Sequence, residues 1–319
     1  MRDDPIGNRK VELLIRYLSF PEINGGSDVS APSLSGQAWS DVVAAALSSQ
    51  LYPALVHTLG QRDKAIFDGP ELDRRRAPPV ANFHYRSSSQ RRHLLAAVRG
   101  LNAAGIEPCL AGGARELWLE APNWRFVSEI ELLVEPASFK SAEAAMERCG
   151  WQQVRALVVS GYHTERWLVH RDTTGHIALR ATGTNRSIER VFPSSICTRG
   201  GLTVAVDCGM SRLATPAAYC LYAVVSHHFA PASRRGKVAA IKPLYELAAR
   251  LIEMKPRDRS ELRDMIAKNS ELSAIFGIWH AAACRTFGLP PVPPLDHPVG
   301  TGQSVELVDL AGQFHVALR

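Results

Sequence analysis

Between residues 106 and 150 the chain runs twice from a short β-rich stretch into a helix, and this alternation restricts it to a sheet with helices packed beside it. Ile106 to Leu110 is an apolar run ending in Ala111-Gly112-Gly113, after which ARELWLEA is helix-like. Residues 127 to 134, VSEIELLV, form a second β-rich run closed by Glu135-Pro136. Ser138 then caps the helix FKSAEAAMERC, which Gly150 ends. Strands are expected over 151 to 159 and 165 to 171, with Asp172-Thr173-Thr174-Gly175 as a hairpin turn into His176 to Ala181. Another hairpin is expected at Arg199-Gly200-Gly201, before LTVAVDC.

Helical spacing dominates on both sides of this region. Residues 4 to 19 place Val11, Leu14, Ile15 and Leu18 on one face, and PEINGGSDVSAPSLSG reads as a linker that makes the first helix an appendage. A second periodic segment runs from Gln37 to Leu59, with Pro53 expected to break it, and a long helix over 80 to 104 carries Leu94, Leu95, Val98 and Leu101 up to Gly105. Thr215 and Pro216 open a helical region expected over 216 to 230, 237 to 254, 258 to 269 and 271 to 287, with Pro243 kinking the second helix. The expectation is therefore an α+β fold, a small mixed sheet flanked by helices, with helical N- and C-terminal regions. Its divisions fall at 1–36 (helix and linker), 37–105 (helical), 106–212 (α+β core), 213–290 (helical) and 291–319 (irregular tail).

Composition narrows the class. At 46% hydrophobic and 21% charged over 319 residues, the chain has enough apolar content to bury a core, and no stretch approaches the length of a membrane span. The reading is a cytoplasmic protein with no membrane partner. Six scattered cysteines without a C-x-x-C pair suggest neither a zinc site nor a disulfide framework. The net charge of +6 comes with arginine far outnumbering lysine, in short clusters at Arg74 to Arg76, Arg91 and Arg92, and Arg234, Arg235 and Lys237. Such clusters suit either a solvated surface or nucleic-acid binding.

Chemistry concentrates on the second strand. Residues two apart on a strand share a face, so Glu129 and Glu131 project together while Ile130 and Leu132 face the other way. Two such carboxylates either lie on a solvated edge or bracket one or two divalent cations that orient a triphosphate. The Gly112-Gly113 turn before them is either a tight connection or the place where a helix offers its amides to phosphate. His170, Asp172 and His176 bracket a turn, where Asp usually bonds its own backbone. His227 and His228 sit in an apolar helix, as packed core histidines do. Asp207 and Glu165 are spare carboxylates that nothing in the spacing selects. No P-loop, dinucleotide fingerprint or Ser-His-Asp pattern is present.

The segment GIEPCLAGGARELWLEAPNWRFVSEIELLVEP resembles the uncharacterised nucleotidyltransferase family of the polymerase β superfamily. That family's segment runs Gly-Ile, an apolar strand, Leu-Lys-Gly, a helix, an Arg, then Asp-Ile-Asp-Leu-Leu-Val. The Trp39 helix with LYPAL, the Gly150-Trp151 helix exit, LATPAAYCLYAVVSHHF and IKPLYELAARL follow in the family's order, so the resemblance spans about residues 37 to 251. It implies catalytic and metal-binding roles for Glu129 and Glu131, and nucleotide binding by Gly112, Gly113, Arg115 and Arg125. It also implies an NTP, magnesium and an acceptor of unknown class: small molecule, protein or nucleic acid.

The departures matter as much. The family's aspartates are glutamates here, one methylene longer, and metal-dependent transfer tolerates misplacement poorly. Its lysine is Ala111, for which Arg115 is a candidate substitute. Its third acidic position falls at Ala178, followed by Arg180 where the family has His. Residues 176, 178 and 180 share a face, so Arg180 can reach toward Glu129 and Glu131 and take a metal's place as a protein cation. Three readings follow: an active nucleotidyltransferase, a degenerate relative that binds a nucleotide or a protein, and a nucleic-acid-binding module.

Overall fold

The computed structural model describes residues 5–18, 36–62, 70–119, 125–127, 130–154, 165–171, 176–183, 186–207, 209–229, 238–289, 305–308 and 315–318. In chain order the elements are α1 (Pro5–Leu18), α2 (Gly36–Ser48), α3 (Tyr52–Arg62), α4 (Pro70–Ala103), β1 (Cys109–Gly112), α5 (Ala114–Trp118), β2 (Ile130–Val134), α6 (Phe139–Arg148) and β3 (Trp151–Gln153). Then come β4 (Glu165–His170), β5 (His176–Ala181), α7 (Arg186–Val191), α8 (Ser195–Arg199), β6 (Leu202–Val206), β7 (Gly209–Leu213) and α9 (Pro216–His228). The last are β8 (Val238–Ala240), α10 (Ile241–Glu253), α11 (Pro256–Ala267), α12 (Ser270–Phe287), β9 (Val305–Val308) and β10 (His315–Leu318). Among the described residues, no helix is long and apolar enough to cross a membrane.

The chain divides into two compact units. One holds Pro79–Pro122 and Val127–Tyr222, the other Met1–Pro78, Asn123–Phe126 and Ala223–Arg319. The first is an α+β unit built on a seven-stranded mixed sheet in the order β3-β4-β5-β2-β1-β7-β6. β2 lies parallel to β5 and antiparallel to β1, and β1 lies parallel to β7.

Alternation sorts this sheet into two faces. Leu110, Ile130, Leu132, Ile177 and Leu179 point to one side, where Leu94, Val98 and Leu101 of α4, Trp118 of α5 and Met146 of α6 join them in one core cluster. Ile130, Leu132, Ile177 and Leu179 are fully buried, each worth about 1.5–3 kcal/mol of apolar transfer. The other face carries Ala111, Glu131, Ala178 and Arg180 in register. Cys109 on that face donates to the Cys197 carbonyl of α8 at 3.2 Å.

The second unit is helical, with a three-stranded sheet in the order β10-β9-β8. Its α1 is no appendage: Val11, Leu14 and Leu18 are fully buried, and Tyr17 meets Trp39 of α2 edge to face at 6.0 Å. The apolar stripe read from the sequence is real, and it buries α1 rather than leaving it on a tether. The tail, expected to be irregular, contains β9 and β10, paired antiparallel.

Several local expectations shift for identifiable reasons. The break between α2 and α3 comes at Gln50, in the left-handed region at φ 57, while Pro53 sits in the first turn of α3, where no amide is needed. Pro243 likewise falls in the first turn of α10 and does not kink it. Ser138 flanks α6 but makes no side-chain capping bond, because Pro136 has already begun a 3-10 turn that runs into the helix. Thr215 does cap, its Oγ1 accepting from the Ala218 amide at 3.2 Å. Arg199-Gly200-Gly201 is the exit of α8 rather than a hairpin; the hairpin follows β6, where Val206 pairs with Gly209 and Asp207 takes φ 44.

Candidate functional site

The candidate site lies on the polar face of the sheet, at the centre of β2. Glu131 is 5% exposed, and its neighbours in register are Ala111 on β1 and Ala178 on β5, both buried. A carboxylate between two methyl groups needs partners from elsewhere to offset its lost hydration. Arg180, two residues along β5 from Ala178, supplies one: its Nη1 donates to Glu131 Oε1 in a close ion pair. Tyr222 of α9 supplies the other, its hydroxyl donating to the same oxygen at 2.7 Å. Burial, followed by the Glu131 charge, holds the Tyr222 phenol well above its usual range, so it stays protonated and a donor.

Gly112 leaves room for the second carboxylate oxygen. It sits at φ +52, and a Cβ there would lie 2.9 Å from Glu131 Oε2. Only glycine meets both conditions without strain. One helical turn before Tyr222, the Tyr219 hydroxyl has the Gly112 carbonyl and, at 2.8 Å, the Glu116 carboxylate within hydrogen-bonding reach, and its single proton goes to one of them at a time. Arg115 lies over the Tyr219 ring, 5.1 Å from its centre. Gly113, at φ −75, is the residue that leads into α5.

The sequence candidates thus separate. Glu131, Gly112 and Arg180 meet at one point, and Arg115 joins through Tyr219. Glu129 lies outside the described residues, as does Asp172. Arg125 belongs to the helical unit, where its Nη2 donates to Glu246 of α10 at 2.9 Å. Glu165 is the register partner of Arg180. Asp207 serves its turn: its carbonyl accepts from Arg99 at 2.9 Å and its carboxylate lies 3.7 Å from Arg91. His176 pairs with Val169, which places it on the opposite face from His170. His170 instead stacks on His93 and meets Trp151 edge to face. His228 accepts from the Trp279 indole at 3.5 Å.

Magnesium, implied by the sequence resemblance, needs a near-octahedral shell of oxygen ligands. The described residues do not fit it. Glu131 Oε1 already receives two donors, a guanidinium stands beside it, and β5 brings the Ala178 methyl opposite in place of a carboxylate. Among the described residues no group of three or more His, Cys, Asp or Glu side chains is arranged to hold a metal.

Sequence reasoning missed Tyr219, Tyr222, Glu116 and Glu246. The two tyrosines stand three apart on an apolar helix, a spacing that puts both hydroxyls on one face. Glu246 interrupts the apolar run of IKPLYELAARL, and a charge in such a stripe is paired when buried. It is 4% exposed, with Arg125 at 2.9 Å, Arg250 at 3.3 Å and Lys242 at 3.9 Å. Burial raises its pKa, but the three cations outweigh that and bring it down to about 2. Desolvation in the same cluster lowers His227 to about 4.

No family model matches the chain, and no curated protein matches it. Among solved structures, an antigenic nucleotidyltransferase-like protein from Paracoccidioides brasiliensis is similar at 12% sequence identity and a TM-score of 0.36, over 59% of this chain and 92% of that one.

Proposed function

We propose that this chain is a nucleotidyltransferase-like protein that works by binding, of a nucleotide or of a protein, in place of metal-dependent transfer. The observation that supports this reading is that Glu131 Oε1 already accepts from both Arg180 and Tyr222. A guanidinium carries one positive charge on a planar fork and cannot bridge carboxylate and triphosphate oxygens as a divalent ion does. With Ala111 and Ala178 on either side, the centre of the site is an internal ion pair. In this reading the Gly112-Gly113 turn and Arg115 are the parts a nucleotide would meet, and Arg125 takes no part, being engaged with Glu246.

The test is thermal unfolding with each of the four NTPs, with and without magnesium or manganese, on the protein and on Glu131→Ala and Arg180→Ala variants. A ligand at 100 times its dissociation constant adds about 2.7 kcal/mol, which is easily seen. The expected result is that the divalent ion adds nothing to any nucleotide-dependent shift. Metal-dependent stabilisation that disappears in Glu131→Ala, together with pyrophosphate release, would instead establish an active transferase with Glu131 as a ligand. A nucleic-acid module would show binding that weakens steeply with salt.

A further inference from the structure

The seven-stranded sheet ends on β6. Among the described residues Leu202–Val206 pairs with β7 alone, and no backbone group outside this hairpin bonds to it. The opposite edge is protected in the ordinary way: β3 has three residues, and its Gln152 and Gln153 are exposed. β6 lacks such protection. It reads Leu-Thr-Val-Ala-Val, with no charge, proline or glycine, and Leu202 is 73% exposed.

We propose that β6 pairs antiparallel with β6 of a second copy of this chain, about a two-fold axis at Val204, so that two sheets become one. The strand is complementary to itself in that register. Leu202 stands opposite Val206 of the second copy, Thr203 opposite Ala205, and Val204 opposite its equivalent, so no like charges meet. Val204 and Val206 already pack against the core cluster, so pairing extends that apolar face across the axis and covers Leu202. A slip of one residue would set this face against the Thr203 and Ala205 face, and a slip of two would shorten a five-residue ladder. Antiparallel pairing also keeps the one acidic end residue, Asp207, facing Arg91 of its own copy at 3.7 Å, so the second copy need not supply its partner. A second copy therefore suits this edge by pattern and direction, and no like charges on the strand oppose it. The proposal is independent of the carboxylate site.

Sedimentation velocity of the full chain over a concentration series tests it. The expected species is twice 34.9 kDa, and Leu202→Lys, which changes an exposed side chain, should weaken association by about tenfold or more. Hydrogen exchange supplies a second readout that needs no variant: amides of 202–206 should gain protection as concentration rises. Val204→Cys under oxidising conditions should give a 204-to-204 crosslink by peptide mapping. A chain that stays monomeric throughout, or a dimer unaffected by Leu202→Lys with no protection at 202–206, overturns the proposal and leaves this edge to another partner or to none.

Discussion

Gly112 and Glu131 constrain each other. Alanine at 112 would have to adopt φ +52 and place its Cβ 2.9 Å from Glu131 Oε2. Gly112→Ala should therefore cost about 1–3 kcal/mol, read as a lower urea midpoint at unchanged slope. Arg180→Ala leaves the Glu131 carboxylate buried beside the Tyr222 hydroxyl without its guanidinium, and should cost about 1–3 kcal/mol. The pair is coupled, so the Arg180→Ala and Glu131→Ala losses should fail to add, by about 0.5–3 kcal/mol in a double-mutant cycle. Strict additivity would mean that the guanidinium and carboxylate do not act as a unit.

Among the elements, α12 shows local sequence and tertiary packing in agreement. Asn269 precedes it in extended conformation, and its Oδ1 accepts from the Glu271 and Leu272 amides at 3.0 and 3.1 Å. Gly288 ends it in the left-handed region at φ 69. Asn269→Ala removes the acceptor and should destabilise by about 1 kcal/mol, measured by urea unfolding. No such cap marks α6, which Pro136 starts early, and α9 is held at its start by Thr215. At α6 the fixed φ of Pro136 starts the turn two residues ahead of Ser138, which makes no side-chain capping bond.

For the whole molecule, acid should weaken the fold in two stages. Desolvation holds His227 neutral down to about pH 4 in the folded chain, whereas the unfolded chain protonates it below about 6.5. Its contribution is complete above that value and is lost as pH falls through the window. His93 is lowered too, first by burial, and acts in the same sense. Glu246, at about 2 when folded against 4.5, contributes fully above the higher value and loses its contribution as pH falls toward the lower. Urea unfolding from neutral to acid pH should show both declines, and His227→Phe should remove most of the first. An unchanged pH slope in that variant would show that His227 does not drive it.

What the sequence by itself determined is what lies within reach of neighbouring residues. The strand, glycine turn, helix and second strand from 106 to 150 are written in local periodicity, and so is the shared face of 176, 178 and 180 that presents Arg180. The packing face of α4 is equally plain in Leu94, Val98 and Leu101. Tertiary structure alone decided the rest, because the deciding contacts join residues far apart in the chain. Glu131 meets Arg180 across 49 positions and Tyr222 across 91, while Arg125 meets Glu246 across 121. Local propensity favours a strand without naming its neighbour. Only the order β5-β2-β1 sets Ala178 and Ala111 on either side of Glu131. A carboxylate that composition leaves open to solvent or metal thus becomes the buried half of an ion pair, because the packed fold brings a guanidinium and a phenol to it.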